Sequence, residues 1–222
     1  MEDAKENRFW LRMRVTVPEA GPAGEAAVVA VIRCPCEVFL DGIRLGATGD
    51  GRADGSRVVL VGDVSGKGLK AAMLVAATIG MLRRENSSSP GAILAGLNDA
   101  LAGHTGGGFV TCCCARFGAD GTVTIANAGH PSPYCDGREL ELAPGLPLGI
   151  MADAEYEETV VPGERFTFVS DGVIEAENAQ RELFGFDRTR EISTKSAQEI
   201  AEAAKAWGQN DDITVVTVRR RA

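Results

Sequence analysis

Apolar residues along this chain come in short runs divided by glycine-rich and acid-rich breaks, and the period of each run predicts an element. The stretches 26–34 (AAVVAVIRC) and 57–63 (RVVLVGD) are apolar and β-branched, which predicts strands. Between them, 41–56 holds five glycines and three aspartates and reads as loop or wide hairpin. Residues 69–84 (LKAAMLVAATIGMLRR) carry the alanines and leucines of a buried helix. Ser87 to Ser89 followed by Pro90 supplies a loop, an N-cap and a first-turn proline for a second helix to about Leu101. The pattern then turns to strands, FVTCCCARF and TVTIAN, with a hairpin around YCDGREL. A strand near 156–161 and FTFVSDG follow. Ser196 with Glu199 forms a capping box that opens the helix AQEIAEAAKAWG, and DITVVTV is the last strand. The first 25 residues, polar and broken by proline and glycine, read as a flexible lead-in, with one ordered domain over 26–222. Strands in runs with helices inserted in blocks predict an α+β sandwich rather than a parallel nucleotide-binding sheet.

Composition narrows the function classes. At 222 residues, 45% hydrophobic and 24% charged, the chain can bury one sizeable core unaided. The longest apolar stretch, 71–82, lies between Lys70 and Arg83 and is too short for a membrane span. The start, MEDAKENRFW, mixes acids into its charged region without an apolar core, so no secretory signal is read and a soluble, cytoplasmic protein is expected. The 23 Lys and Arg against 31 Asp and Glu leave a formal charge of −8, which argues against nucleic acid as a partner. None of the six cysteines shows zinc-knuckle spacing. Strand alternation sends Cys112 and Cys114 to one face and Cys113 to the other, as small buried hydrophobes.

Three aspartates stand where an apolar strand meets a polar turn: Asp63 after VVLVG, Asp171 after FTFVS, and Asp211 just before DITVV. Gly-Asp and Asp-Gly pairs usually just make turns. If the last strand runs antiparallel to the other two, however, all three carboxylates reach one edge of the core. Such a cluster calls for a hard divalent cation, because carboxylates crowded together otherwise repel or take up protons.

The residues around these aspartates resemble a known family. VVLVGDVSGKGLKAAMLVA, IANAGHPSPY, GLPLGI, FTFVSDGVIEAENAQRELFGFDR and NDDITVVTVRR, in that order and spanning roughly 26–219, are similar to the SpoIIE/RsbU-like branch of the PPM metal-dependent protein phosphatases. The resemblance implies a four-layer α+β sandwich, two antiparallel sheets flanked by helices, in agreement with the element order. It implies a serine/threonine phosphatase in which two Mn²⁺ or Mg²⁺ ions activate a water for attack on phosphoserine or phosphothreonine. It assigns Asp63 as the carboxylate bridging both ions, the backbone carbonyl of Val64 as a further ligand, and Asp171 and Asp211 as the remaining catalytic and metal-binding aspartates. A phosphorylated STAS-type anti-sigma-factor antagonist in a partner-switching pathway is the implied substrate.

One departure bears on activity. The branch carries a Gly-Gly-Asp segment before the bridging motif, and here it is missing. Asp41 is the nearest substitute ligand, whereas Asp50 and Asp54 read as turn acids of an inserted loop. The loss motivates an alternative function, a catalytically reduced module that binds and regulates a signalling partner without hydrolysis. Lys67 in VSGKG lacks phosphate-loop spacing, since Gly68 and Leu69 follow it in place of a hydroxyl. His104 reads as a loop residue, and His130, in NAGH, lies near the site by resemblance without a ligand role. Glu175 and Glu177 read as a solvated helical face.

Overall fold

The structure, a computed structural model, describes residues 11–15, 28–33, 36–40, 43–48, 56–66, 69–84, 87, 89–118, 120–209 and 211–219. In chain order the elements are β1 (Leu11–Val15), β2 (Val28–Arg33), β3 (Cys36–Leu40), β4 (Ile43–Thr48), β5 (Arg57–Val64), α1 (Leu69–Arg84) and α2 (Pro90–Leu101). There follow β6 (Val110–Phe117), β7 (Val123–Ala128), β8 (Tyr134–Cys135), β9 (Arg138–Glu139), β10 (Thr159–Val161) and β11 (Arg165–Val169). The chain closes with α3 (Asp171–Ile174), α4 (Gly185–Ile192), α5 (Ala197–Trp207) and β12 (Thr214–Arg219).

Two five-stranded sheets result, ordered β10-β7-β6-β5-β2 and β1-β12-β11-β8-β9, with β3 and β4 paired separately. Every pairing between these strands is antiparallel. The sheets face each other across a core in which Val59, Val61, Cys113 and Phe117 meet Phe166, Phe168, Val216 and Val218. Phe117 and Phe166 meet edge to face at 5.4 Å between ring centroids, the offset geometry aromatic quadrupoles favour. On the outer face of the first sheet, Leu74, Leu82, Ile93 and Leu97 of α1 and α2 cover Val58, Leu60, Cys112 and Cys114. On the outer face of the second, Val173, Ile200 and Ala204 cover Val169 and Val215. The fold is therefore the expected four-layer sandwich. A strand such as β5, covered on both faces, must be apolar at consecutive positions, and each fully buried valine or leucine contributes about 1.5–3 kcal/mol.

The expected elements stand close to their places. Ser89 caps α2 by accepting from the Ala92 amide at 3.1 Å, with Pro90 first in the helix. The Ser196–Glu199 capping box opens α5. The cysteine alternation holds, with Cys112 and Cys114 against the helices and Cys113 between the sheets. Burial pushes the Cys112 thiol up to about 12 and Cys113 higher still, so neither is a ready nucleophile.

Three readings are corrected. The stretch 1–25 is not featureless, because Leu11–Val15 forms β1 and pairs with β12. Its sequence LRMRV alternates apolar and basic residues, a period-two pattern too short to stand out among its charged neighbours. The strand near 156–161 is confined to Thr159–Val161. The helix after Asp171 ends at Ile174, so Glu175 is its exposed C-cap and Glu177 bridges Leu183 beyond it.

Candidate metal centre

The sandwich brings Asp63, Asp171 and Asp211 to one edge. Asp63 lies near the C-terminal end of β5, Asp171 follows β11 by two residues, and Asp211 precedes β12 by three. Because β12 runs antiparallel to β11, with Val169 opposite Val215, its N-terminal approach comes alongside Asp171. Face-to-face packing of the sheets adds Asp63 from the other side.

Local chemistry then orients each carboxylate in the same way. Each accepts from the amide of the following residue: Val64 N to Asp63 Oδ1 at 2.9 Å, Gly172 N to Asp171 Oδ1 at 2.8 Å, and Asp212 N to Asp211 Oδ1 at 2.8 Å. One oxygen is thus tied to the backbone, which fixes the direction of the other.

Neighbours of these aspartates hold the loops together. Ser170 Oγ donates to the Asp212 carbonyl at 3.0 Å and accepts from the Thr214 amide at 2.9 Å, while its own amide donates to the Thr214 carbonyl. Gly172 is required by contact, since a Cβ there would run into the Asp212 carbonyl. Gly62 is required likewise, since its Cβ would stand 2.5 Å from the Thr111 carbonyl and 2.6 Å from Cys112 Sγ. Sequence reasoning passed over Ser170, Gly172 and Gly62. Their only signal was adjacency to an aspartate, which turn chemistry explains equally well.

The electrostatics mark a site. Burial first, then the Asp171 charge and more weakly those of Asp211 and Asp212, push the Asp63 carboxyl from 3.8 up to about 7 against the lowering effect of the Val64 amide. Asp171 is raised by burial and by Asp211, with the Gly172 amide opposing. Hard oxygen donors that repel one another across a shared edge are chemically suited to a hard divalent cation. In donor type and mutual field the residues fit Mn²⁺ or Mg²⁺, although among the described residues no group of three His, Cys, Asp or Glu stands close enough to hold an ion. Val64 is fully buried beside Asp63.

Asp41 lies outside the described residues, as do Asp50, Asp54 and Lys67. β2 pairs beside β5 in the antiparallel sense, Val28 opposite Asp63 and Arg33 opposite Val58, and β3, which follows it and ends just before Asp41, pairs with β4. The chain therefore leaves β2 at the end remote from Asp63.

No curated protein matches the chain. Among solved structures it is similar to the RsbU and RsbW domains of a Mycobacterium tuberculosis protein, at 22% identity and a TM-score of 0.65, covering 97% of this chain and 60% of that one. The SiaA-PP2C domain of Pseudomonas aeruginosa matches at 21% identity and a TM-score of 0.65, over 90% of this chain and 82% of that one. The PP2C phosphatase domain of SpoIIE from Bacillus subtilis, solved with a fragment of its regulatory domain, matches at 17% identity and a TM-score of 0.59, over 97% and 71%. These likenesses establish the PP2C-like phosphatase fold. The sequence model of the family Stage II sporulation protein E (SpoIIE) matches residues 53–221, from before the Asp63 strand to the end of β12 and through all three aspartates. With most of its length matched, the chain belongs to the SpoIIE family.

Proposed function

We propose that this protein is a Mn²⁺- or Mg²⁺-dependent phosphatase acting on phosphoserine or phosphothreonine in a protein substrate. The observation that carries the reading is the Asp63 carboxyl, pushed to about 7 by burial and by the charges of Asp171, Asp211 and Asp212. A turn acid has no reason to be held against its like charges. Asp63 would bridge, with the Val64 carbonyl, Asp171 and Asp211 completing the donors and Asp41 their candidate addition. Divalent ions bound there would supply a water acidified toward neutral pH and positive charge for the phosphoryl oxygens. The chain's own part is to gather and aim the carboxylates, which the bound cations would keep ionised against burial and mutual repulsion. The amides of Val64, Gly172 and Asp212 fix one oxygen of each. Ser170 locks the Asp171 turn to the Asp211 loop.

The substrate we infer is a phosphorylated STAS-type anti-sigma-factor antagonist in partner switching. Its support is the sequence resemblance and a structural neighbour that joins RsbU to RsbW domains in one chain. Hydrolysis of a phosphoserine protein with and without Mn²⁺, by wild type and by Asp63→Asn, tests the reading. Metal-dependent turnover lost in the variant is expected, and metal-independent turnover or an unaffected variant removes it.

A second reading, a module that binds a signalling partner without hydrolysis, draws on the absence of a ready three-residue ligand group among the described residues. Calorimetric titration separates the two. Two bound Mn²⁺ ions support the enzyme, and one or none supports the binding module.

A further inference from the structure

The end of the first sheet that carries Asp63 also carries uncovered apolar side chains. Beyond β5 and β6 the ladder runs on by one step, with Ser65 N donating to the Phe109 carbonyl at 2.9 Å and Phe109 N donating to Ser65 Oγ at 2.7 Å. Phe109 thus stands two positions past Thr111, the residue opposite Asp63, and strand alternation puts it on the sheet face that Thr111 and Asp63 share. At about 3.4 Å per residue, it lies about 7 Å along the strand from the register position of Asp63. The ring is 37% exposed.

On the other side of β6, where β7 has ended at Ala128, Leu148 exchanges two backbone hydrogen bonds with Val110, at 3.0 and 2.8 Å. This bridge is antiparallel, so the residues after Leu148 continue past the end of the sheet beside Phe109. Asn98, fully buried in α2, holds them from both sides. Its Nδ2 donates to the Met151 carbonyl and its Oδ1 accepts the Gly149 amide, each at 2.9 Å. The clamp fixes the backbone around Ile150 and Met151, whose side chains are 54% and 52% exposed. Three of the eight large apolar side chains exposed among the described residues therefore stand at this one edge. Apolar surface left in water on a fixed backbone beside a reactive centre marks a docking surface.

Charge selects the partner. The segments 85–115 and 139–164, which carry the three side chains, contain no Lys or Arg, while Asp153, Glu155 and Glu157 stand exposed just beyond Met151. Building on the phosphatase reading above, we propose that Phe109, Ile150 and Met151 form the docking rim for the phosphoprotein substrate. The segment it takes carries an apolar side chain about two residues from the phosphoserine, with Lys or Arg flanking it. In an extended segment whose phosphoserine is held at Asp63, the residue two positions away lies about 7 Å off, which is the offset of Phe109.

The test uses three short phosphoserine peptides. The first has leucine two positions to either side of the phosphoserine and arginine at both ends, the second has serine in place of leucine, and the third has glutamate in place of arginine. With Mn²⁺ present, wild-type kcat/KM for the first should exceed that for the second about 10-fold, as partial burial of one leucine allows, and should exceed that for the third as well. Phe109→Ser and Ile150→Ser should each bring the leucine-to-serine ratio toward unity. Val160→Ser, which alters an exposed valine opposite Thr124 at the far end of the same sheet, should keep the wild-type ratio. Because the ratio is read within each protein, a variant that is merely less stable does not mimic the loss. No preference for leucine in the wild type, or a preference that survives both rim substitutions, overturns the rim. A third peptide cleaved as well as the first overturns the basic flank. A wild type that sediments as a dimer while Ile150→Ser sediments as a monomer assigns the face to a second copy and also overturns the proposal. If the wild type hydrolyses none of the peptides, the function reading fails, and fluorescence anisotropy of the labelled peptides still decides the rim. Tighter binding of the leucine peptide than of the serine peptide, lost in Ile150→Ser, keeps it, and equal binding overturns it.

Discussion

Replacing Asp63 by asparagine should stabilise the metal-free protein at neutral and alkaline pH, because the change removes a charge the fold holds at a cost. The carboxyl titrates at about 7 in the folded chain against 3.8 for a free aspartate. At 1.36 kcal/mol for each pKa unit, ionising Asp63 in the fold is opposed by at most about 4 kcal/mol. The side chain is only half-buried, so solvent screening brings the expected figure to about 2 kcal/mol. The sign follows from linkage. An acid whose folded pKa is raised adds no penalty below about pH 4, where both states are protonated. The penalty grows as pH rises through the interval to about 7 and is constant above it. Asparagine keeps an oxygen to accept the Val64 amide, so little else is lost. Urea denaturation in EDTA should therefore show the two proteins equal at pH 4 and Asp63→Asn more stable by about 2 kcal/mol at pH 8. Saturating Mn²⁺ should reverse the order if Asp63 binds the ions as proposed, since a ligand at 100 times its Kd stabilises by about 2.7 kcal/mol and the variant would lose that carboxylate. Equal stabilities at pH 8 in EDTA, or a variant less stable there, would refute the electrostatic reasoning on which the site rests.

Gly172→Ala should cost about 1–3 kcal/mol in thermal or urea unfolding by driving a methyl into the Asp212 carbonyl, and should weaken Mn²⁺ binding by displacing Asp171 from Asp211. Ser170→Ala strands the Thr214 amide and frees the Asp212 carbonyl, so a loss of about 1–3 kcal/mol is expected by the same measurement, with Ser170→Thr recovering part of it. If Asp41 supplies the ligand of the missing segment, Asp41→Asn lowers Mn²⁺ affinity and phosphatase activity together, while Asp50→Asn and Asp54→Asn leave both unchanged. A reversed ranking places the ligand in the inserted loop.

Much of the architecture was legible because each core strand is covered on both faces, which forces consecutive β-branched residues and leaves Gly-Asp at the exposed ends. Ser89-Pro90 and Ser196-Glu199 marked their helices for an equally local reason, the unpaired amides of a first turn. Leu11–Val15 escaped notice because its pairing with β12 joins residues some two hundred positions apart, a contact that five alternating residues do not announce. The three aspartates were legible as strand-end acids, but nothing in their spacing could bring them together. That took the antiparallel approach of β12 to β11 and the face-to-face packing of the sheets. His130 was legible as a turn histidine placed near the site by resemblance, but its burial against Thr111 depends on the neighbouring strand. Asp41 lies outside the described residues, so its place beside the three aspartates stays a proposal.

The central claim is that Asp63, Asp171 and Asp211 form a divalent-cation centre. Crystals grown with Mn²⁺, with diffraction recorded at the manganese absorption edge, test it most directly. Anomalous peaks between Asp63 and the Asp171 and Asp211 carboxylates, absent in crystals of Asp63→Asn, are the predicted result. Crystals that carry manganese elsewhere and none beside Asp63 would contradict it.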